Sequence, residues 1–222
     1  MERTIRVTGK GKLAVKPDTI RLIITQTDVI STYEGAIVES TDKKSNLGAH
    51  LKRAGFEKEA LKTLYFNVET EYESYQGRDK SWKQRLKGYR YTHRMKLEFE
   101  ADNTLLGKVL AAVSRCAGQP EFTIQHTIAD PEAAKNELLA KAVEDSKMKA
   151  EVLSKAAGVQ LKDIVNIDYS WGEIDFVSRP VNDLMLRKCY DECVEYDAGI
   201  DIDIEADDIE VNDTVTVVWE IG

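Results

Sequence analysis

The segment from residue 131 to 158 constrains the fold of this chain more than any other stretch. Asp130 is placed to cap a helix, Pro131 suits its first turn, and Gly158 suits the left-handed residue that ends it. Because the segment is rich in alanine, we predict one long helix against which a sheet packs closely. Small and apolar residues recur at steps of three and four and should form its buried face: Leu139, Val143, Ser146, Ala150, Leu153 and Ala157.

The other periodicities predict strands and two further helices. Gly9 and Gly11 indicate a turn after a short first strand, and a change of apolar phase at Pro17 indicates a bulge or bend in the next strand. Residues 76–87 are predicted as a polar, basic connection within a long hairpin. Helices are expected at 33–54 and 103–117, and further strands at 61–75, 89–100, 122–128, 164–171 and 211–221.

The order of these elements predicts an α+β fold with mostly antiparallel sheets and helices on one face. Strand–helix–strand–strand occurs from 12 to 100 and again from 120 to 221, which suggests a duplication. We therefore predict a single domain over residues 1–222, with sub-units at 1–101 and 119–222 joined by the helix at 103–117.

The composition and net charge limit the cellular location and the classes of binding partner that we expect. The net charge of −8 argues against general binding to nucleic acid or to anionic membranes. No apolar run has the length of a signal peptide core or a membrane span, so we expect a cytoplasmic protein without membrane insertion. The odd number of cysteines, three, fits a reducing compartment.

Three stretches resemble one family. The opening IRVTGKG at 5–11, continued by VKPD at 15–18, resembles the start of the SIMPL domain (domain of unknown function 541, periplasmic immunogenic protein-like). The alanines at 140–158 resemble the helix of that family, and VTVVWEI at 215–221 resembles its final strand. The resemblance implies an α+β fold, a tendency to homo-oligomerise and a role loosely tied to stress response or the cell envelope. Many bacterial members look like exported proteins, and the family supplies no catalytic residues to carry over.

Two kinds of candidate chemistry, at the histidines and at the first glycines, each have a structural alternative. His93 and His126 fall on the apolar phase of their strands, where they could act as ligands or general bases, or be half-buried and satisfied by a neighbour. His50 lies on the first helix without an evident partner. The glycines at 9 and 11 could begin a phosphate-binding loop, but they lead into a strand rather than a helix, which favours a turn or bulge.

Metal binding is weighed at two places. Cys189 and Cys193 could share a helix face and bind a metal, yet no second cysteine pair exists, which favours ordinary thiols that are redox-active only if exposed. From 191 to 213 there are eleven Asp and Glu and no Lys or Arg. A calcium loop there would need glycine in place of Ala206 and glutamate in place of Asn212, whereas alternating isoleucines favour a strand with one wet face. We predict no metal or other cofactor.

The basic connection around Trp82 has three interpretations: a nucleic-acid contact, a solvated hairpin tip, or a self-association site. In the third, the basic tip of one subunit docks on the acidic segment of another with Trp82 as an apolar anchor, and Lys83 and Arg85 supply charge. We therefore predict a homo-oligomer that does not bind nucleic acid.

Together these features predict a non-enzymatic, self-associating protein, a scaffold or stress-related binding module. The alternatives are a hydrolase whose acid and base are unidentified and a calcium-responsive binding protein.

Overall fold

A computed structural model of the protein describes residues 3–78, 80–169, 174–178 and 204–222. It confirms the predicted α+β class, with three helices and two antiparallel sheets. The helices are α1 (Tyr33–Arg53), α2 (Asn103–Ser114) and α3 (Pro131–Ala157), and Lys58–Ala60 forms a 3₁₀ turn. The strands are β1 (Thr4–Val15), β2 (Thr19–Ile30), β3 (Lys62–Gln76), β4 (Trp82–Glu100), β5 (Glu121–Thr127), β6 (Leu161–Asp168), β7 (Val177–Ser178) and β8 (Ile209–Ile221).

The described chain forms two compact units. The first contains Met1–Asp18, Thr127–Ser178 and Ala206–Gly222, and the second is built mainly from Thr19–His126. The predicted bend at Pro17 is confirmed, because residues 16–18 separate β1 in one sheet from β2 in the other. The order helix–strand–strand recurs as α1–β3–β4 and α3–β6–β8, whereas β5 belongs to the sheet of the first set.

In the first unit, α3 lies against a sheet with the strand order β1–β8–β6. The helix is continuous, and Asp130 caps it by accepting a hydrogen bond from the Ala133 N–H at 2.9 Å. Its buried face is turned relative to the prediction, because Leu153 is 49 % exposed while Leu139 and Val143 are only partly buried. The fully buried stripe instead follows a four-residue step through Ala134, Leu138, Ala142, Ser146, Ala150 and Ser154.

The prediction of a turn at Gly9 and Gly11 was wrong, since both lie within the continuous strand β1. A Cβ atom at Gly9 would lie 1.9 Å from the carbonyl oxygen of Ala142, and one at Gly11 would lie 2.2 Å from that of Leu138. Both glycines are needed because the backbones of β1 and α3 touch, and this contact explains why the smallest side chains of α3 face the sheet.

Two side chains of α3 cover the outer edge of β1. The Lys10 backbone N–H donates to Asp145 Oδ2 at 2.6 Å, and Lys149 Nζ donates to the carbonyl oxygen of Thr8 at 3.2 Å. Asp145 and Lys149 also form an ion pair at 2.7 Å. Exposed strand edges invite pairing with other chains, so this pair protects β1.

The five-stranded sheet has the strand order β3–β4–β2–β5–β7, and the first four of these strands form the sheet of the second unit. Antiparallel pairing of β2 and β4 places Leu22 opposite Leu97 and Ile24 opposite Met95. These side chains form one apolar core with residues of α1 and α2, including Leu47. Both helices therefore cover the same face of this sheet, as predicted.

Candidate functional site

The β3–β4 hairpin extends beyond the rest of its sheet. Because β2 ends at Ile30, opposite Tyr89, the earlier residues of β4 pair only with β3. We call this two-stranded part, residues 71–76 and 82–88, the ribbon. The predicted connection at 76–87 was too long, since only 77–81 lie between the strands and β4 begins at Trp82.

One face of the ribbon is apolar and exposed. Trp82 is 74 % exposed, and Tyr72 and Leu86 are also exposed. Tyr72 lies opposite Leu86 and Gln76 lies opposite Trp82, so alternation along β3 places all three apolar side chains on one face. A face of this kind typically marks a contact site.

The other face of the ribbon is charged. Arg85 donates to a carboxylate oxygen of Glu73, and its guanidinium lies 5.4 Å from the centre of the Tyr75 ring. Lys83 lies opposite Tyr75 on this same face. The three residues predicted for self-association are thus divided, with Trp82 on the apolar face and the two cations on the charged face.

His93 is buried in a polar network beneath α1. Its Nδ1 is 2.9 Å from Ser40 Oγ on α1, and its Nε2 is 2.9 Å from Thr63 Oγ1 on β3. Lys44 Nζ donates to the same Thr63 oxygen at 3.1 Å. Burial, and to a smaller extent the charge of Lys44, lowers the pKa of His93.

This network joins a serine to a histidine, the pair that hydrolases use, but Ser40 is only 1 % exposed. A nucleophile in that position is closed to substrate, so the hydrogen bonds hold α1 to the sheet instead. The expected buried, satisfied histidine is therefore what the structure shows at His93. Nothing in the sequence linked His93 to Ser40, 53 positions away.

A second polar contact holds α1 to β2. Lys43 Nζ binds Asp28 at 2.8 Å, lies 3.5 Å from Glu39, and sits 5.6 Å from the centre of the Tyr91 ring. The hydrogen bond from Lys43 lowers the pKa of Asp28. These contacts are structural, since each charged group faces an opposite charge or a ring within the same unit.

The remaining histidines and the described cysteine do not form a reactive centre. His126 is buried, burial lowers its pKa, and its Nδ1 has no hydrogen-bond partner in the described part of the chain. His50 lies in the last turn of α1. Cys116 is a buried free thiol whose pKa burial raises to about 11, which disfavours the reactive thiolate.

Cys189 and Cys193 lie outside the described residues, as does the acidic segment as far as residue 203. Within the ranges that the structure describes, no group of three or more His, Cys, Asp or Glu side chains is placed to hold a metal ion. None of the helices in those ranges is both long enough and apolar enough to cross a membrane.

Comparison with models of protein families gives a match. The sequence matches the SIMPL family, described as a protein of unknown function (DUF541), over residues 5–219. No curated protein matches the sequence.

Proposed function

The chain belongs to the SIMPL family, and from this premise we propose that it is a non-enzymatic, self-associating protein that serves as a scaffold or binding module. The observation that carries the proposal is the exposure of Trp82 at the start of β4, on the apolar face of the ribbon. Large aromatic side chains are costly to leave in water, and they are enriched among residues that dominate protein–protein contacts.

In the proposed contact, Trp82, Tyr72 and Leu86 pack against a second copy of the chain. Full burial of one such side chain contributes about 2 kcal/mol. Lys83 and Arg85, on the charged face of the ribbon, attract the acidic segment 191–213 of the second copy. Arg85 already binds Glu73, so its contribution to the contact requires exchange of that ion pair.

The non-enzymatic part of the proposal is supported by the burial of the Ser40–His93 pair. A hydrolytic serine must reach its substrate, whereas Ser40 is buried on the face of α1 that packs against the sheet. The network is better explained as the attachment of the helix to β3 and β4.

Light scattering coupled to size-exclusion chromatography tests the proposal. We expect the wild-type protein to exceed the monomer mass, Trp82→Ala to reduce that mass, and a Lys83→Glu/Arg85→Glu variant to reduce it most at low salt, where charges are least screened. Val152→Ala, which shortens an exposed apolar side chain on α3, is the matched control and should change nothing. A monomeric wild-type protein would refute the proposal.

A further inference from the structure

The strand edges of the two sheets are not equally protected. The outer edge of β1 is covered by Asp145 and Lys149. Along β6, the pairing with β8 is interrupted on both sides of Ile164, and such irregularities discourage a further strand from adding. At one end of the five-stranded sheet, β7 has only two residues.

The opposite end of that sheet is different. β3 has 15 residues, and no strand of the described chain pairs with its outer edge. Its pairing with β4 is regular from Tyr65 to Glu71, between two register shifts. No charged side chain occurs from Thr63 to Val68, and an uncharged segment of a strand edge is open to pairing with another strand.

We propose that β3 of a second copy of this chain pairs with this edge, antiparallel, about a two-fold axis at Val68, the midpoint of the regular stretch. The two five-stranded sheets then become one sheet that runs through both subunits. This inference rests on the self-association proposed above, and it names a contact surface separate from the ribbon.

The charges on β3 favour one orientation. Its carboxylates, at Glu69, Glu71 and Glu73, lie in the C-terminal half, where Arg90 binds Glu71 and Arg85 binds Glu73. The N-terminal end carries Lys62, and Lys44 donates a hydrogen bond to Thr63 there. A parallel arrangement in register would place each carboxylate opposite the same carboxylate of the second copy, and like charges directly opposite each other are destabilising. The antiparallel arrangement brings the acidic half of each strand to the basic end of the other.

The same reasoning selects the register. An axis at Val68 places Glu69 opposite Asn67 and Glu71 opposite Tyr65, so no carboxylate faces another. An axis at Thr70 would place Glu69 opposite Glu71 of the second copy. The favoured register therefore follows from both the regular stretch and the charges.

Phe66 supplies the apolar part of this contact. It is 44 % exposed on the face that α1 partly covers, and its ring is already held edge-to-face against His93, with centroids 5.2 Å apart. An axis at Val68 places Phe66 opposite Thr70 and diagonal to Val68 of the second copy. A side chain that is already positioned loses little freedom when the second strand covers it.

The experiment uses opposite charges at the axis. Val68→Lys and Val68→Glu each place two like charges against each other, so each variant alone should have a reduced mass in analytical ultracentrifugation at low salt. A one-to-one mixture should regain the wild-type mass, because lysine then faces glutamate, and native mass spectrometry should show mixed pairs. Val165→Lys, on the interrupted edge of β6, is the matched control and should behave as wild type.

A second pair of variants tests the register at a partly exposed position that does not depend on the core. Asn67→Lys should tighten the association, because the lysine would face Glu69 of the second copy, and Asn67→Glu should weaken it. Unchanged mass in both Val68 variants, or failure of their mixture to regain the wild-type mass, would overturn the edge pairing. If the Lys83→Glu/Arg85→Glu variant dissociates while the Val68 and Asn67 variants do not, the ribbon proposal stands and the edge proposal falls.

Discussion

At the scale of single residues, Gly9 shows how one missing Cβ atom permits a contact between elements. Gly9→Ala places a Cβ 1.9 Å from the Ala142 carbonyl oxygen, so α3 or β1 must move. We expect a loss of about 3 kcal/mol in the free energy of unfolding, measured by urea denaturation. Gly48→Ala in α1, where nothing lies within 4 Å, should instead add about 0.5–1 kcal/mol. Equal effects of the two substitutions would contradict the close contact.

His93 makes a second residue-scale prediction, on pH. Burial lowers its pKa, so the unfolded chain takes up a proton first as the pH falls. Protonation therefore favours unfolding, and stability should fall as the pH drops below about 6.5, the pKa of an unperturbed histidine. The contribution of His93 is at most about 1.4 kcal/mol per pH unit. His93→Gln should make the plot of unfolding free energy against pH shallower between neutral and mildly acidic pH, and an unchanged slope would show that His93 does not control it.

How much of this network could be predicted depends on sequence distance. Strict alternation along β4 placed His93 on the apolar face, and burial confirmed it. Its partners Ser40 and Thr63 come from two other elements, and no periodicity records which elements meet. The burial of a polar side chain can thus be predicted from its neighbours, whereas its hydrogen bonds cannot.

At the scale of elements, α3 and β1 are joined by Asp145 and Lys149. Asp145→Ala should release the Lys10 N–H to water, with a loss of about 1 kcal/mol in stability. Amide hydrogen exchange should become faster at Lys10 in particular, as followed by NMR. Glu144→Ala removes the same charge from the neighbouring position on α3 and should leave that amide unchanged. Similar exchange in both variants would rule out the edge protection.

The elements that were predicted least well lack an alternation of buried and exposed residues that could be read from the sequence. The start of β4 was assigned to a connection because both faces of the ribbon meet water, so polar and basic residues such as Lys83 dominate there. Gly9 and Gly11 indicated a turn because glycine is common in turns. Here they are required by the close contact with the backbone of α3, more than 120 residues later in the chain. By contrast, the bounds of α3 were predicted nearly to the residue, since its caps are local signals.

At the scale of the whole molecule, the α+β class follows from the order of elements, but the distribution of strands between sheets does not. The sequence suggested two strand–helix–strand–strand repeats, yet β5 belongs to the five-stranded sheet while β8 pairs with β1. Thr8 and Thr216, 208 positions apart, lie side chain to side chain at 3.0 Å. Pairing over such a distance is decided by side-chain packing across the sheet, which no local window contains.

The pairing of β1 with β8 has a consequence for biosynthesis. A ribosome synthesises β1 long before β8, so the central strand of the three-stranded sheet is still missing after β1, α3 and β6 have emerged. Thr19–His126 meanwhile has every strand it needs for its β2–β4 and β3–β4 ladders. Domains generally fold as units during synthesis. The segment Thr19–His126 is therefore expected to fold on the ribosome, while nascent β1 and α3 have no complete sheet until β8 is synthesised.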